Sequence, residues 1–215
     1  GGGMGTGGKM MRHDRRRKFS TVFVNRMAEA GFWDLLCLLG LSLLLMAVPV
    51  MAAPDNKVST RERTIVYASL GETLSRYQLD AKQASLTPLG TLVLPANLQF
   101  AAFHPCRCFL YAVSSNAGSG TLGATGDTHL LSAFRIDEAS GALYPHGEPI
   151  PLPERPIHVT VDREGRHALV AFNKSGTVRA YRLARDGVPG EEVAQKEALD
   201  GGIFTNQIVV TPSGK

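Results

Sequence analysis

Two residues near the middle of the second half of the chain have side chains suited to hydrolytic chemistry. Arg155 and His158 lie three residues apart, at the start of an alternating apolar run. A histidine can take a proton from an attacking water, and an arginine can hold a carboxylate, a phosphate or a developing oxyanion with a two-pronged contact. We therefore identify His158 and Arg155 as the candidate catalytic pair. The alternatives are a structural histidine bonded to a neighbouring unit of strands and an exposed loop arginine.

A second set of polar residues lies in loops or at strand ends, where amide and imidazole groups can bind substrate at the rim of a site. The set comprises Asn97, Asn116, His129, Asn173 and Asn206. For His129, with Asp127 close by, a solvated loop pair is the alternative. Ser114 and Ser115 have no base at an identifiable spacing, so the sequence does not favour a serine nucleophile.

The chain has three cysteines, of which two are close in sequence. Cys106 and Cys108 are two residues apart, so both side chains would face the same way on a strand. They are either small side chains beside a turn or a disulfide. No second ligand pair has the spacing of a metal site, so we predict no metal. The Gly-rich loop from Gly118 to Gly126 joins strands and opens no helix, which argues against a phosphate cradle.

The elements that must position these residues come from an internal repeat. The segment Thr73–Asp80 (TLSRYQLD) recurs as Leu130–Asp137 (LLSAFRID) and again as Thr177–Leu183 (TVRAYRL). The copies are separated by about 45 to 60 residues, a period typical of repeat architectures. Each unit contains four short runs divided by Gly, Pro, Asp or Asn, which predict four antiparallel strands, named a to d.

Four strands per unit at this period predict an all-β fold, a β-propeller of four-stranded antiparallel blades. In the second unit we place the strands at Gln99–Phe103, Phe109–Ser114, Leu130–Ile136 and Leu143–Ile150. In the third unit we place them at Ile157–Val161, Ala168–Phe172, Val178–Leu183 and Glu191–Ala198. The first unit begins at strand b (Thr64–Ser69), so we expect its strand a to come from the other end of the ring. A last strand a over Gln207–Val210 brings the total to a little over three blades, where closed propellers have about four to eight, so we predict a truncated propeller.

Propeller geometry sorts the polar residues between two faces. The d-to-a and b-to-c loops lie at the mouth of the central channel, and the a-to-b and c-to-d turns lie on the opposite face. His158, Arg155 and the rim set all fall on the channel-mouth face. The residues that fall on the opposite face, where we expect them to serve turn formation and solubility, are His104, Arg107, Asp162, Arg166 and Asp186.

The N-terminal part has the residue order of a secretory signal. A basic stretch within Arg12–Lys18 precedes the apolar run Leu35–Val50, and small residues follow at Ala52 and Ala53. We predict cleavage after Ala52 or Ala53 and export to the periplasm or the exterior. The alternative is an uncleaved leader that anchors the chain in a membrane, although the run of about sixteen residues is short for a spanning helix. The predicted domains are 1–52, a low-complexity start plus export signal; 53–63, a linker; and 64–215, a partial propeller.

The excess positive charge belongs to the leader. The net charge is +4, but seven of the 23 Lys and Arg and only three of the 19 Asp and Glu lie in residues 1–52. The sequence after the leader is therefore nearly neutral and carries no basic cluster that would bind nucleic acid. The expected partners include a membrane only through an uncleaved leader, and further copies of the chain. Self-association is expected because an open propeller leaves strand edges and apolar surface uncovered.

Three motifs resemble the lactonase-type seven-bladed propeller family. They are Arg155–Arg166 (RPIHVTVDREGR), Leu131–Asp137 (LSAFRID) with Ser140–Leu143 (SGAL), and His104–Tyr111 (HPCRCFLY). The resemblance covers residues 64–215, roughly the first half of such a protein. It implies hydrolysis of a lactone ring without a redox cofactor, so we expect no cofactor and a small-molecule lactone or sugar-derived ligand as partner. The best-known activity of the family is 6-phosphogluconolactonase. Where the family commonly has a His before a Gln on the fourth inner strand, this chain has Asn206 before Gln207.

The same fold also serves proteins that catalyse nothing. The alternatives to a lactone hydrolase are therefore a propeller that binds a ligand or a protein at its channel face, and an inactive truncated fragment.

Overall fold

The structure, a computed structural model, describes residues 20–27, 63–118, 124–197, 205–211 and 213. Its regular elements there are thirteen β-strands arranged in three antiparallel sheets that follow one another along the chain. The described residues form no helix, and so none that could cross a bilayer. This confirms the all-β prediction and the four-stranded antiparallel unit.

The first sheet has the order β1-β2-β3-β4 and holds an unexpected innermost strand. Its strands are β1 (Ser20–Met27), β2 (Arg63–Leu70), β3 (Thr73–Asp80) and β4 (Ser85–Val93). β1 pairs antiparallel with β2 from Ser20↔Leu70 to Met27↔Arg63 and lies in the strand a position. The prediction that this unit begins without a strand a is therefore wrong. The β-branched and aromatic run Val22-Phe23-Val24 favours a strand, and the open edge of β2 is its partner.

The second sheet has the order β5-β6-β7-β8, with β9 also paired to β7. Its strands are β5 (Leu98–Phe103), β6 (Phe109–Ser115), β7 (His129–Ile136), β8 (Leu143–Pro145) and β9 (Ile150–Pro151). The single outer strand predicted over Leu143–Ile150 is therefore split in two. Pro145, Pro149 and Pro151 lack the N–H that a ladder needs, so pairing with β7 is interrupted.

The third sheet has the order β10-β11-β12-β13. Its strands are β10 (Pro156–Val161), β11 (His167–Phe172), β12 (Val178–Leu183) and β13 (Pro189–Glu192). The outer strand was predicted at Glu191–Ala198 and shares only two residues with β13. Beyond it, Val178 O accepts a bond from the side-chain amide of Gln195, at 3.1 Å, instead of from a backbone N–H.

Residues Gln207–Val210 are irregular, so the further strand a predicted there is not formed. A strand is held by hydrogen bonds to a neighbour, and no strand among the described residues pairs with this segment. Residues 1–19 and 28–62, which bear most of the predicted leader and the linker, lie outside the described residues.

The three sheets stack through their central strands. On β6, Leu110 and Ala112 lie in the core between the first and second sheets, and Tyr111 and Val113 lie in the core between the second and third. Alternate side chains of a strand point to opposite faces, so one short strand contributes to both cores. The innermost strands β1, β5 and β10 are neighbours, with β5 in contact with the other two. The candidate site includes residues of β5 and β10.

Candidate functional site

His158 lies on the innermost strand of its sheet, as predicted, and takes a position that is aromatic in the previous unit. Phe100 on β5 and His158 on β10 each follow a register shift at the start of the strand, and they pair with Val113 and Ala171, respectively. Their ring centroids are 3.9 Å apart with an interplanar angle of 32°. An imidazole therefore replaces an aromatic hydrocarbon at the junction of two sheets.

The His158 ring is buried and its polar atoms are unused. The residue is 7% exposed, and neither Nδ1 nor Nε2 has a hydrogen-bond partner among the described residues. Burial lowers the pKa of His158 below its ordinary value, so the ring is neutral at pH 7 and offers one N–H and one lone pair. An unpaired buried polar group costs about 1–3 kcal/mol. Packing of the fold alone does not account for this residue.

Arg155 belongs to the loop between β9 and β10 and reaches across to the second sheet. Its Nη2 donates to Gln99 Oε1 at 2.6 Å. The side chain is partly buried, which lowers the pKa of Arg155, and its Nε has no partner among the described residues. A guanidinium held in this way is positioned by the fold, which distinguishes it from a freely exposed loop arginine.

Gln99 was not predicted as a site residue, yet it organises the contacts around Arg155. From β5, its Nε2 donates to Asn97 O at 3.0 Å and to Ser115 O at 3.5 Å. Asn97 O also accepts from Ser115 N at 2.9 Å. The available signal was a polar residue inside an otherwise apolar inner strand. Asn97 thus contributes through its main chain, and its side chain is exposed.

His129 contacts a serine across the sheet instead of the neighbouring carboxylate. Ser115 and His129 are opposite each other in the β6–β7 register, and Ser115 Oγ lies 2.8 Å from His129 Nδ1. Ser115 Oγ also accepts a bond from Ala117 N at 3.0 Å, so one hydroxyl contacts both the imidazole and the start of the loop. The sequence spacing does not indicate this serine–histidine pair, because the two residues meet only through the pairing of β6 with β7. Ser115 is fully buried, so it positions His129 and is not placed to attack a substrate.

Asn116 and Asp127 close the base of the β6–β7 loop. Asn116 Nδ2 donates to Asp127 Oδ1 at 2.7 Å, and Asn116 Oδ1 accepts from the backbone N–H groups of Asp127 and Thr128 at 3.0 Å each. The bonds from Asn116 and Thr128 lower the pKa of Asp127. Both Asn116 and Asp127 are exposed. Their mutual bonds make them loop-forming residues in this structure.

Asn173 and Asn206 form a similar local pair at the end of the third sheet. Asn173 Nδ2 donates to Thr205 O at 3.2 Å and to Asn206 Oδ1 at 3.1 Å. These bonds attach the segment at 205–206 to the turn between β11 and β12. The pair makes no hydrogen bond to Arg155 or His158 among the described residues.

The residues assigned to the opposite turns mostly bond to their own loops or neighbouring turns. Asp162 Oδ1 accepts from the backbone N–H groups of Arg166 and His167, and its Oδ2 lies 2.8 Å from His167 Nδ1. The guanidinium of Arg107 lies 5.0 Å from the Phe103 ring centroid. These contacts agree with a role in shaping turns.

The structure therefore assembles part of the predicted set. Arg155 is connected through Gln99 to Asn97 and Ser115, and His129 reaches the same group through Ser115. His158 follows Arg155 by three residues on the innermost strand. The arrangement offers a guanidinium for an anion and a neutral imidazole for proton transfer.

One known family matches most of the chain. Residues 59–203 match the family described as lactonase, 7-bladed beta-propeller. The matched segment contains both members of the candidate catalytic pair.

Two relatives named 6-phosphogluconolactonase are similar to the chain over part of their length. The 6-phosphogluconolactonase of Cronobacter sakazakii is 33% identical over 119 residues, which cover 55% of this chain and 32% of that protein. The 6-phosphogluconolactonase of Pectobacterium atrosepticum is 32% identical over 144 residues, which cover 66% of this chain and 39% of that protein. The chain thus matches less than two fifths of the length of either relative.

Solved structures agree on the fold. The Pseudomonas aeruginosa periplasmic gluconolactonase PpgL superimposes with a TM-score of 0.54 at 19% identity, over 66% of this chain and 38% of that one. A protein from Lactobacillus plantarum gives a TM-score of 0.54 at 14% identity, over 71% of this chain and 43% of that one. At these identities the likeness concerns the fold alone.

Proposed function

Because the chain belongs to the seven-bladed lactonase β-propeller family, we propose that it is part of a lactone hydrolase. The reaction is the opening of a cyclic carboxylic ester by water, with a sugar-derived lactone as substrate. The two relatives described above are 6-phosphogluconolactonases, and their partial similarity supports this class of substrate. An anionic sugar lactone suits a site that contains a positioned arginine.

The observation that carries the proposal is the 2.6 Å bond by which Gln99 holds Arg155, three residues before the unpaired imidazole of His158. This bond orients the guanidinium of Arg155. The neutral ring of His158 keeps a lone pair on one nitrogen. In a seven-bladed propeller the innermost strands line the channel, where a small ligand enters. The two side chains needed for ester hydrolysis are then one on the loop that enters an inner strand and one on that strand, β10.

The roles follow from the chemistry of the groups. His158 takes a proton from water as the water oxygen attacks the lactone carbonyl carbon. Arg155 stabilises the developing oxyanion or holds the acidic group of the sugar. When the ring C–O bond breaks, the proton passes from His158 to the departing ring oxygen, and the product is the open hydroxy acid. No redox cofactor takes part in these steps.

A second candidate is a propeller that binds a sugar-derived ligand without converting it. The burial of both His158 ring nitrogens favours this alternative, because a general base must meet the water it activates. Asn206, which bonds to Asn173, provides a further amide on the same face. Under this alternative, Arg155 alone determines the preference for an anion.

Hydrolysis of sugar lactones, corrected for spontaneous ring opening, separates the two candidates. His158→Ala should lower the rate about 10²–10⁴-fold if the ring is the base. Arg155→Lys should weaken the binding of anionic lactones more than that of neutral ones, because it keeps the charge and loses the two-pronged contact. His146→Ala, on the opposite face, is the matched control and should retain the wild-type rate. Wild-type rates in both test variants would remove them from the mechanism, and ligand binding without turnover would favour the binding module.

The inactive-fragment alternative has its own test. Reading the gene beyond codon 215 and repeating the assay on any longer in-frame product would distinguish a partial enzyme from a fragment. Activity that appears only in the longer product would support the lactone hydrolase and place the missing groups downstream.

We also propose export of the chain, supported by the basic, apolar and small-residue order of residues 1–53. An exported lactonase would act on lactones of the periplasm or the exterior. The near-neutral charge of the remaining sequence supports a small-molecule partner over nucleic acid.

A further inference from the structure

A cluster of two sulfurs and one imidazole lies away from the candidate site, in the turn between β5 and β6. Among the described residues, His104, Cys106 and Cys108 each offer a ligand atom, and these atoms all lie within 4.8 Å of one another. Cys106 and Cys108 are joined as a disulfide. Cys106 is exposed and the other two are partly exposed, so the cluster is open to solutes.

The orientation of His104 determines which ring nitrogen faces the sulfurs. His104 Nε2 lies 3.1 Å from the backbone carbonyl of Gly165, in the corresponding turn of the third sheet. A carbonyl can only accept, so Nε2 carries the hydrogen and Nδ1 carries the lone pair. That lone pair accepts from Cys106 N at 3.2 Å, and Nδ1 lies 2.9 Å from Cys106 Sγ.

The neighbouring sheet supports this orientation sterically. Gly165 has a φ of +68°, and a Cβ at this position would overlap the His104 ring. The ring therefore rests directly on the backbone of the next unit. A histidine whose Nε2–H bonds to a backbone carbonyl while Nδ1 faces a cluster of sulfurs has the outer-shell arrangement typical of metal-binding histidines.

We propose that the reduced form of this turn binds one thiophilic divalent cation of the Zn²⁺ type through His104 Nδ1, Cys106 Sγ and Cys108 Sγ. A tetrahedral ion would take these three ligands and one water. The lone pair of His104 Nδ1 then binds the ion in place of the Cys106 N–H. The Cys-x-Cys spacing alone did not indicate a metal, because it supplies two ligands; the third is the oriented His104. The disulfide form lacks thiolates and does not bind the ion, so the site is controlled by redox state.

The chemistry of the switch balances with a phosphine as reductant. One phosphine and one water convert the disulfide to two thiols and a phosphine oxide. Binding of the divalent ion then releases the two thiol protons, because thiolates are the ligands. Metal bonds of about 2.3 Å to sulfur and about 2.0 Å to nitrogen place tetrahedral ligand atoms roughly 3.5–3.8 Å apart. The three ligand atoms all lie within 4.8 Å of one another, so they are within reach of such a site once the sulfurs part.

Cobalt(II) is the probe that reports the ligands directly, through thiolate-to-metal charge-transfer absorption. All proteins carry Cys37→Ser, so the third cysteine of the chain cannot contribute. The phosphine-reduced chain should bind one Co²⁺ with a near-ultraviolet charge-transfer band that an equivalent of Zn²⁺ displaces. The oxidised chain, which has the same sequence, should show no band.

Two histidine variants test whether His104 is a ligand of the ion. His104→Ala should weaken Co²⁺ binding about 10-fold or more, since even loss of an outer-shell partner costs about 10–100-fold. His146→Ala is the matched control: His146 Nε2 also bonds to a backbone carbonyl, that of Asp186, at 2.7 Å, but the residue is outside the cluster. It should bind as the parent does. Absence of the charge-transfer band in the reduced parent, or equal Co²⁺ affinity in His104→Ala and the parent, would overturn the proposal.

Discussion

The hydroxyl of Tyr67 on β2 donates a 2.6 Å hydrogen bond to the backbone carbonyl of Gly141, in the turn between β7 and β8 of the next sheet. The same contact recurs one unit later, where Tyr111 on β6 donates to Gly187 O at 2.8 Å. Both tyrosines are fully buried, and both glycines have positive φ, 69° and 86°. Each of the first two sheets is thus joined to the outer turn of the following sheet by one repeated bond.

Removing either hydroxyl should destabilise the fold by a similar amount. Tyr67→Phe and Tyr111→Phe each keep the ring and lose the bond to the glycine carbonyl, so each should lower the free energy of unfolding by about 1 kcal/mol. Urea denaturation measures the change. Tyr144→Phe, at a side chain 48% exposed, is the control and should stay within about 0.5 kcal/mol of wild type. Equal stability of all four proteins would show that the repeated bond contributes nothing.

Tyr111 should also make the fold sensitive to alkali. Burial, and secondarily the charge of Asp186, raise the pKa of Tyr111 to about 12. The ordinary value in an unfolded chain is about 10. The folded state therefore holds this proton more tightly, and its contribution is full below about pH 10 and lost as pH rises towards 12. Urea midpoints across this range should fall less steeply in Tyr111→Phe than in wild type. Parallel pH profiles would contradict the assignment, and the slope that remains is expected from Tyr181, whose pKa burial also raises to about 12.

Replacing His158 by the residue of the preceding unit should stabilise the fold in acid. Burial lowers the pKa of His158, so its neutral form contributes fully above about pH 6.5 and the contribution is lost as pH falls through the lowered value. His158→Phe removes the buried unpaired nitrogens and should raise stability by about 1–3 kcal/mol. Its acid slope should be shallower by up to about 1.4 kcal/mol per pH unit.

The reciprocal variant, Phe100→His, is the matched control for this prediction. It places a second imidazole at the equivalent buried position and should steepen the loss of stability below about pH 6.5. Denaturant unfolding from about pH 4 to 8 measures both variants. A His158→Phe protein that is less stable at every pH would show that the ring has a structural partner.

The position of the mature N-terminus determines whether the first inner strand, β1, is part of the mature protein. Cleavage after Ala52 or Ala53 would remove β1 and leave β2 as the edge of the first sheet. We expect mass spectrometry of exported material to find an N-terminus at Ala53 or Pro54. A mature chain that begins well before Ala47 would contradict the cleavage prediction, and one that retains Ser20–Met27 would keep β1 in place.

Strands with local sequence signals could be predicted without the structure. Val178–Leu183 was predicted with the bounds that β12 has, and the inner strands around Phe100 and His158 were predicted to within a residue or two. Alternating side chains and turn residues act over a few positions, so they can be recognised without knowledge of the neighbours. The placement of His158 on an innermost strand followed from the same repeat.

Which of these residues are in contact depends on how the sheets pack against one another. Gln99 and Arg155 are 56 residues apart, and Ser115 meets His129 through the β6–β7 register. The pairing of β1 with β2 joins segments on either side of residues 28–62, so no local pattern could indicate it. Such contacts depend on how one sheet docks on the next and on strand register, and a shift of one residue turns each side chain to the other face. Strand formation is largely a local preference, whereas the site is a consequence of packing between repeats.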